Sequence, residues 1–411
     1  MDPLVNTMRS YAWGSTTALP ALMGAEPDGT PQAELWMGAH PAAPSQVLRP
    51  SGPQPLDAVI EAAPTAELGE ATLHRFGPRL PFLLKLLAAD TPLSLQVHPD
   101  SAQAAAGCRS ENDRGVPLDA PHRNYRDDNH KPELIVALGP FHGLCGFRSP
   151  AHCAELLALL DLPELAPHIA TLRSAPEETA LREVFSAFLS PPPGAVAAVA
   201  AAVAREARGG SPHRSAFDVY DSIARAHPSD PGLLAATLLQ DVHLAPGEGL
   251  FLGAGIPHAY VRGLGVEVMA ASDNVLRCGL TTKHVDTAEL LRVVRFSAEP
   301  LRVLRPEARG REEVYPTPVD DFRLSRIRAT TGGRAVVLDG PAPQILVCTR
   351  GQLRLTGPRE TLTLRPGESV YAPAGEQVSV DGEGEVFRAT AVPGGARSGT
   401  VADASTALNR H

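Results

Sequence analysis

The sequence predicts a mainly β protein with a helical insert, its strands arranged as two jelly-roll β-barrels. Three observations carry that expectation. Short apolar runs broken by Pro, Gly and Asp occupy residues 80–140 and return from about 240 onward. Residues 151–230 instead space their apolar side chains by three and four, the period of a helix face. The third is an internal repeat: PGEGLFLGAGIPHAY (246–260) is echoed by PGESVYAPAGEQVSV (366–380). Two copies of one strand–turn–strand unit suggest two barrels.

The elements follow in order. In LPFLLKLLAADTPLSLQVHPD (80–100) Asp90-Thr91-Pro92 separates two apolar runs, and Leu93 to His98 reads as a strand. Residues 101–130 are polar and rich in Asp, Asn and Arg, which predicts a long surface excursion. KPELIVAL (131–138) reads as a deeply buried strand, apolar on both faces. Ser149-Pro150 starts the helical part, followed by AHCAELLALLDL, PEETALREVFSAFL and GAVAAVAAAVAREA. The Ala-rich run 195–204 is too short to cross a bilayer and ends in charge, so a packed helix is expected. In each repeat Pro-Gly makes a turn, the middle residues a strand, and the second glycine a tight bend. His258 in the first copy is matched by Val378 in the second. The expected domains are a first, discontinuous barrel (1–150 and 232–300), a helical insert (151–231), a C-terminal barrel without metal ligands (301–395) and a flexible tail (396–411).

Composition narrows the function. At 411 residues, 43% hydrophobic and 20% charged, the chain reads as an ordinary globular protein of two or three domains. A net charge of -9 argues against nucleic acid, which needs a concentrated basic face. No apolar stretch is long enough for a membrane span, and MDPLVNTMRSYAWGS does not read as a signal peptide. Cys108, Cys145, Cys153, Cys278 and Cys348 are scattered without a CxxC, which predicts reduced thiols and a cytoplasmic location.

One constellation carries chemistry. Gln96 and His98 lie two apart on a predicted strand and so share a face; Glu133 sits on a second strand and His258 on a third. Four O/N donors aimed into one barrel suit zinc or another borderline divalent ion. Each histidine alone is more often an ordinary side chain than a ligand. The glutamate inside KPELIVAL is more telling, because a buried carboxylate needs a cation facing it.

Eight segments, YAWGS (11–15), AELWMGAHP (33–41), PFLLKLL (81–87), LSLQVHPD (93–100), NYRDDNHKPELIVAL (124–138), FHGLCGFR (141–148), PGEGLFLGAGIPHAY (246–260) and DNVLRCGLTTKHVD (273–286), resemble the type I mannose-6-phosphate isomerases in order and approximate spacing. The resemblance implies a cupin-type fold and a zinc enzyme, one ion per chain, interconverting mannose 6-phosphate and fructose 6-phosphate. It places the metal on Gln96, His98, Glu133 and His258, and the family's catalytic arginine on Arg277. Cys278 and Thr282 depart from the family's glycine and proline, and are expected near the pocket wall.

Aldose–ketose exchange moves a proton between C2 and C1 through an enediolate, whose charge a metal and a fixed cation would stabilise. Lys85, set in an apolar run, is expected to have a pKa lowered by desolvation toward a base's range. Lys131, His130, Asp273 and metal-bound water are the other candidate proton carriers. Ser94 and Lys283 suit a phosphate clamp, and Trp13, Trp36 and Tyr260 the sugar pocket or the core. The expected partner is a small sugar phosphate, with no nucleic acid or membrane, and a monomer is expected with an oligomer left open. Competing readings are an isomerase or epimerase of another phosphorylated sugar, a non-catalytic two-barrel sugar-binding protein, and an iron oxygenase, which the extra glutamine disfavours.

Overall fold

The computed structural model describes residues 1–394, so the tail expected at 396–411 lies outside the described residues. The described strands form two eleven-stranded sheets. Neither is a closed barrel; each is bent over by one long strand that serves two sets of neighbours.

In the first sheet that strand is His258–Ala270. Its later part pairs Glu267 with Lys85 on Phe82–Ala89 and with Ile135 on Glu133–Ala137. Its beginning pairs His258 with Gln96 on Leu95–Val97 and with Cys145 on Phe141–Phe147. The change of neighbours falls at a register irregularity between Tyr260 and Arg262. Gly263 follows with φ +140, and a Cβ there would sit 2.5 Å from the Phe141 ring. Only glycine lets the strand bend so close to its neighbour.

The second sheet repeats the plan. Val378–Thr390 pairs with Gln344–Thr356, and on its other side with Val336–Leu338 and then Arg323–Ala329. Asp2–Val5 joins this sheet by pairing with Ser369–Ala372, and brings Gln46–Arg49 with it. The pairing therefore distributes the first 150 residues over both sheets.

Burial on both faces of KPELIVAL has a simple cause. Ile135 and Ala137 face the interior of the first sheet with Leu87, Leu250 and Leu252. Leu134 and Val136 face the other way, against a layer that includes Leu324, Ile345, Val347 and Phe387 of the second.

The helical part contains Pro150–Leu159, Ala166–Ser174, Glu177–Leu189, Ala195–Arg208 and Arg214–Ala226. Ser149 caps the first, its side chain accepting from the His152 amide. The Ala-rich segment buries Val199, Ala202 and Val203 against its neighbours. Residues 101–130 do lie mostly at the surface, and the excursion begins with a helix not specified from the sequence, Ser101–Asp113. Asp100 and Gln103 form a reciprocal capping box there, and their spacing was readable in the sequence.

The insert is tied to the sheet next to Arg277. Gly232 of Gly232–Ala236 and Gly279 of Leu276–Gly279 meet so closely that a Cβ on Gly279 would lie 2.6 Å from Gly232 Cα. Asp230 accepts from the Leu280 and Thr281 amides at 2.8 and 3.0 Å. Gly279→Ala, at φ +132 and without room, should lower stability by about 2–4 kcal/mol. Urea unfolding checks this; an unchanged midpoint would show that the two backbones do not meet.

Candidate metal centre

His98, Glu133 and His258 come from three strands or strand ends, and their ligand atoms all lie within 4.8 Å of one another. All three residues are buried. His98 Nδ1 is 2.8 Å from the Asn274 carbonyl oxygen and His258 Nδ1 is 2.9 Å from that of Ile256. A carbonyl only accepts, so each Nδ1 carries the proton and each Nε2 presents a lone pair. His98 Nε2, His258 Nε2 and Glu133 Oε2 are buried without a hydrogen-bond partner. Three acceptors converging with no donor between them fit a divalent cation.

The electrostatics agree. Burial pushes His98 down to about 4, more than the Glu133 carboxylate can restore. Burial opposes the charge of Glu133, yet the flanking imidazoles and the Lys131 ammonium, 3.4 Å away, hold its carboxyl well below the usual carboxylate range. At neutral pH His98 is thus a neutral imidazole beside the Glu133 anion.

Gln96 lies between His258 and Arg277 in the sheet, opposite both. Cross-strand partners share a face, so the glutamine, the histidine and the arginine stand side by side. The second sheet keeps the frame and changes the groups. Leu338 stands opposite Val378 as Gln96 stands opposite His258. The repeat counterparts Leu252 and Ala372 face Glu133 and Gln344. Gln344 accepts from the buried Arg388 at 2.7 Å, so a side-chain cation sits where the other sheet gathers lone pairs.

Beside the cluster runs a buried charged network. Lys85 donates to Glu267 at 2.9 Å and stands 3.6 Å from Glu34, which accepts from Trp36 Nε1 at 2.7 Å. The expectation of a depressed lysine pKa is corrected here. Burial does disfavour the ammonium, but Glu267, Glu34 and Glu133 outweigh it and raise Lys85 above the usual lysine value. Burial raises Glu267 despite Lys85. Tyr260 is also buried, its hydroxyl unpartnered, and burial with Glu267 and Glu133 pushes it well up.

The other predicted site residues spread out from this core. Asp273 is half exposed, 3.2 Å from His40 Nε2, and that contact lowers its pKa although burial opposes it. His130 lies 2.9 Å from Asp321. Trp13 is half buried against the interior of the first sheet and stacks on Tyr11. Ser94 is half buried, two residues before Gln96. Burial and Arg126 push the Arg277 guanidinium down, and burial, Arg277 and Arg126 do the same to the exposed Lys283. Three cations thus crowd together. Arg126 was not picked out from the sequence, nor were Glu34 and Glu267.

Cys278 is also a correction. Alternation turns it away from Arg277 into the core shared with the helical insert, where it is buried. It does not line the pocket wall, and Thr282 is exposed.

The catalytic-domain family of phosphomannose isomerase type I matches residues 1–150. A mannose-6-phosphate isomerase of Escherichia coli K12 is 41% identical over 394 residues, covering 94% of this chain and 99% of its own length. The crystal structure of a mutant phosphomannose isomerase from Salmonella typhimurium superposes with TM-score 0.88 at 38% identity, covering 95% of this chain and 99% of its own. A zinc-bound mannose 6-phosphate isomerase structure gives 0.87 at the same identity and coverage.

The depressed His98 has a consequence for the metal-free protein. Its folded pKa of about 4 lies below the unfolded value of 6.5, so the unfolded chain binds the proton first. Stability is then full above about pH 6.5 and falls as pH drops toward 4, and the lowered Glu133 adds loss in the same direction. Urea midpoints of the chelated protein should fall by the equivalent of about 2–3 kcal/mol over that window. His98→Asn should flatten the curve; the same slope in wild type and variant would contradict the assignment.

Proposed function

The chain belongs to the type I mannose-6-phosphate isomerases, and on that premise we propose how its residues interconvert mannose 6-phosphate and fructose 6-phosphate. One observation carries the metal assignment: the three buried, unpartnered acceptor atoms of His98, Glu133 and His258. Gln96 completes the ligand set from the same face of the sheet. Bound zinc would supply a Lewis acid for the negative charge that develops on the C1 and C2 oxygens.

Arg277 stands next to Gln96 and adds a fixed cation to that region. Burial, Arg277 and Arg126 lower the pKa of Lys283, as expected of a cationic group waiting for a dianion, and we assign Arg126 and Lys283 with Ser94 to the phosphate. Lys131 balances Glu133 and faces the sugar oxygens from the metal side. Proton transfer we assign to the Lys85–Glu267 pair: Lys85 remains charged, while the carboxyl of Glu267, its pKa raised by burial, is the better proton holder. Asp273, anchored by His40, orients the polar rim, and Trp13 and Tyr260 pack behind the sugar.

The described residues contain no helix long and apolar enough to cross a membrane. All five cysteines are free, which fits a reducing cytoplasm where a monomer works on a diffusible sugar phosphate.

Metal analysis with a coupled assay on both sugar phosphates tests this reading. Zinc near one per chain is expected, with activity lost on chelation and in His258→Ala. Arg277→Gln should lower kcat by about a hundredfold or more. Full activity in metal-free protein would overturn the metal assignment, and wild-type kcat in Glu267→Gln would overturn the proton assignment.

A further inference from the structure

The helical insert closes over one edge of the first sheet and leaves a cavity of about 640 Å³ between them. Its sheet wall carries a row of three basic side chains. His243 on Leu239–Leu244 pairs with His142 on Phe141–Phe147, and His142 pairs in turn with Arg262 on His258–Ala270. Partners in register share a face, so the three stand in line across adjacent strands. Phe141 and Cys145 alternate with His142 and point into the first sheet's interior, so the row is on the face turned away from His258.

His243 Nε2 is held by Ser215 Oγ at 2.8 Å and Asp241 Oδ2 at 3.1 Å, and Asp241 is also bonded to Arg148. On Arg214–Ala226, Arg225 pairs with Asp221, and Asp218 lies 3.7 Å from Arg214. Asp90 closes the cavity from the turn after Phe82–Ala89. His142 meets the ring of His243 edge-on at 4.5 Å between centroids, and no side-chain hydrogen bond or ion pair holds it or Arg262 among the described residues. Burial, His243 and Arg262 all push His142 down from the usual histidine value.

The lining Arg225 and Arg262 balance Asp90 and Asp218, so protonating His142 leaves an excess of positive charge. A divalent metal would have to displace the bonds on His243 Nε2 and sit beside Arg262. An oxyanion meets neither obstacle and gives His142 and Arg262 the partner they lack.

We propose that this seam cavity binds a phosphate group, free or on a small sugar phosphate, through His142 and Arg262 with His243 at its side. The site is separate from the metal centre and stands whether or not the residue roles assigned there hold. Binding strengthens as pH falls, because a protonated His142 attracts the anion and the anion in turn favours its protonation.

Zinc-loaded full-length protein carrying ¹⁵N-labelled histidine tests it by NMR titration with inorganic phosphate, His142→Gln identifying the resonance. A saturable shift of the His142 ring nitrogens is expected, about tenfold weaker near pH 8 than near pH 6, and about tenfold weaker in Arg262→Gln. The same shift in Arg277→Gln would separate this site from the active centre. Sorbitol 6-phosphate distinguishes the sources: tighter binding than phosphate assigns the sugar ester, equal or weaker binding assigns the free ion. A His142 resonance unmoved by phosphate, an affinity independent of pH, or a second zinc bound there in place of phosphate overturns the proposal. The wild-type titration decides even if a variant fails to fold.

Discussion

A carboxylate and two imidazole lone pairs packed into one dry point repel unless a cation lies among them, and the first sheet is arranged around that constraint. Each histidine is fixed by a backbone carbonyl on its Nδ1, which leaves its other nitrogen nothing to bond but what enters the centre. The glutamate reaches the same point from a strand covered on both sides. Lys131 stands beside one carboxylate oxygen of Glu133, but the other oxygen and both Nε2 atoms have no hydrogen-bond partner among the described residues. Polar groups left so exposed to one another are usually maintained for what they hold.

The second sheet shows the same frame relieved of the constraint. Leucine and valine stand where the first sheet has glutamine and histidine, and a glutamine meets an arginine where the glutamate meets lone pairs. The repeated turns survive because they determine the backbone path. The polar interior does not survive, since it serves chemistry confined to one copy. Apolar contact between the sheets then makes the second a support for strands of the first, notably Phe82–Ala89 and Glu133–Ala137.

Much of this was legible locally. Strand parity put Gln96 and His98 on one face, the repeat separated His258 from Val378, and a lone glutamate in an apolar run asked for a cation. Groups defined by partners distant in the chain were not legible. Lys85 looks like a desolvated base until Glu267 and Glu34 are placed against it, and the sequence contains no sign that those three meet. Arg126 joins Arg277 only through the fold. Cys278 was misplaced because adjacency to Arg277 was read as shared surface, whereas neighbours along a strand face opposite ways. The helix at Ser101–Asp113 was hidden by its polar composition, although its cap announced it.

The pairing of Asp2–Val5 with Ser369–Ala372 bears on how the chain comes to be made. The strand is made long before its sheet partner, which lies beyond residue 368 in the sequence. Until residues 369–372 have been made, that edge has nothing to join, and the segment must be kept from other partners in the meantime. Such a long-range closure carries a high entropic cost early and is recovered only late, which slows folding of topologies of this kind. The second sheet is therefore completed only once residues 369–372 are available, and the first sheet, whose strand neighbours all lie between residues 7 and 304, can form ahead of it.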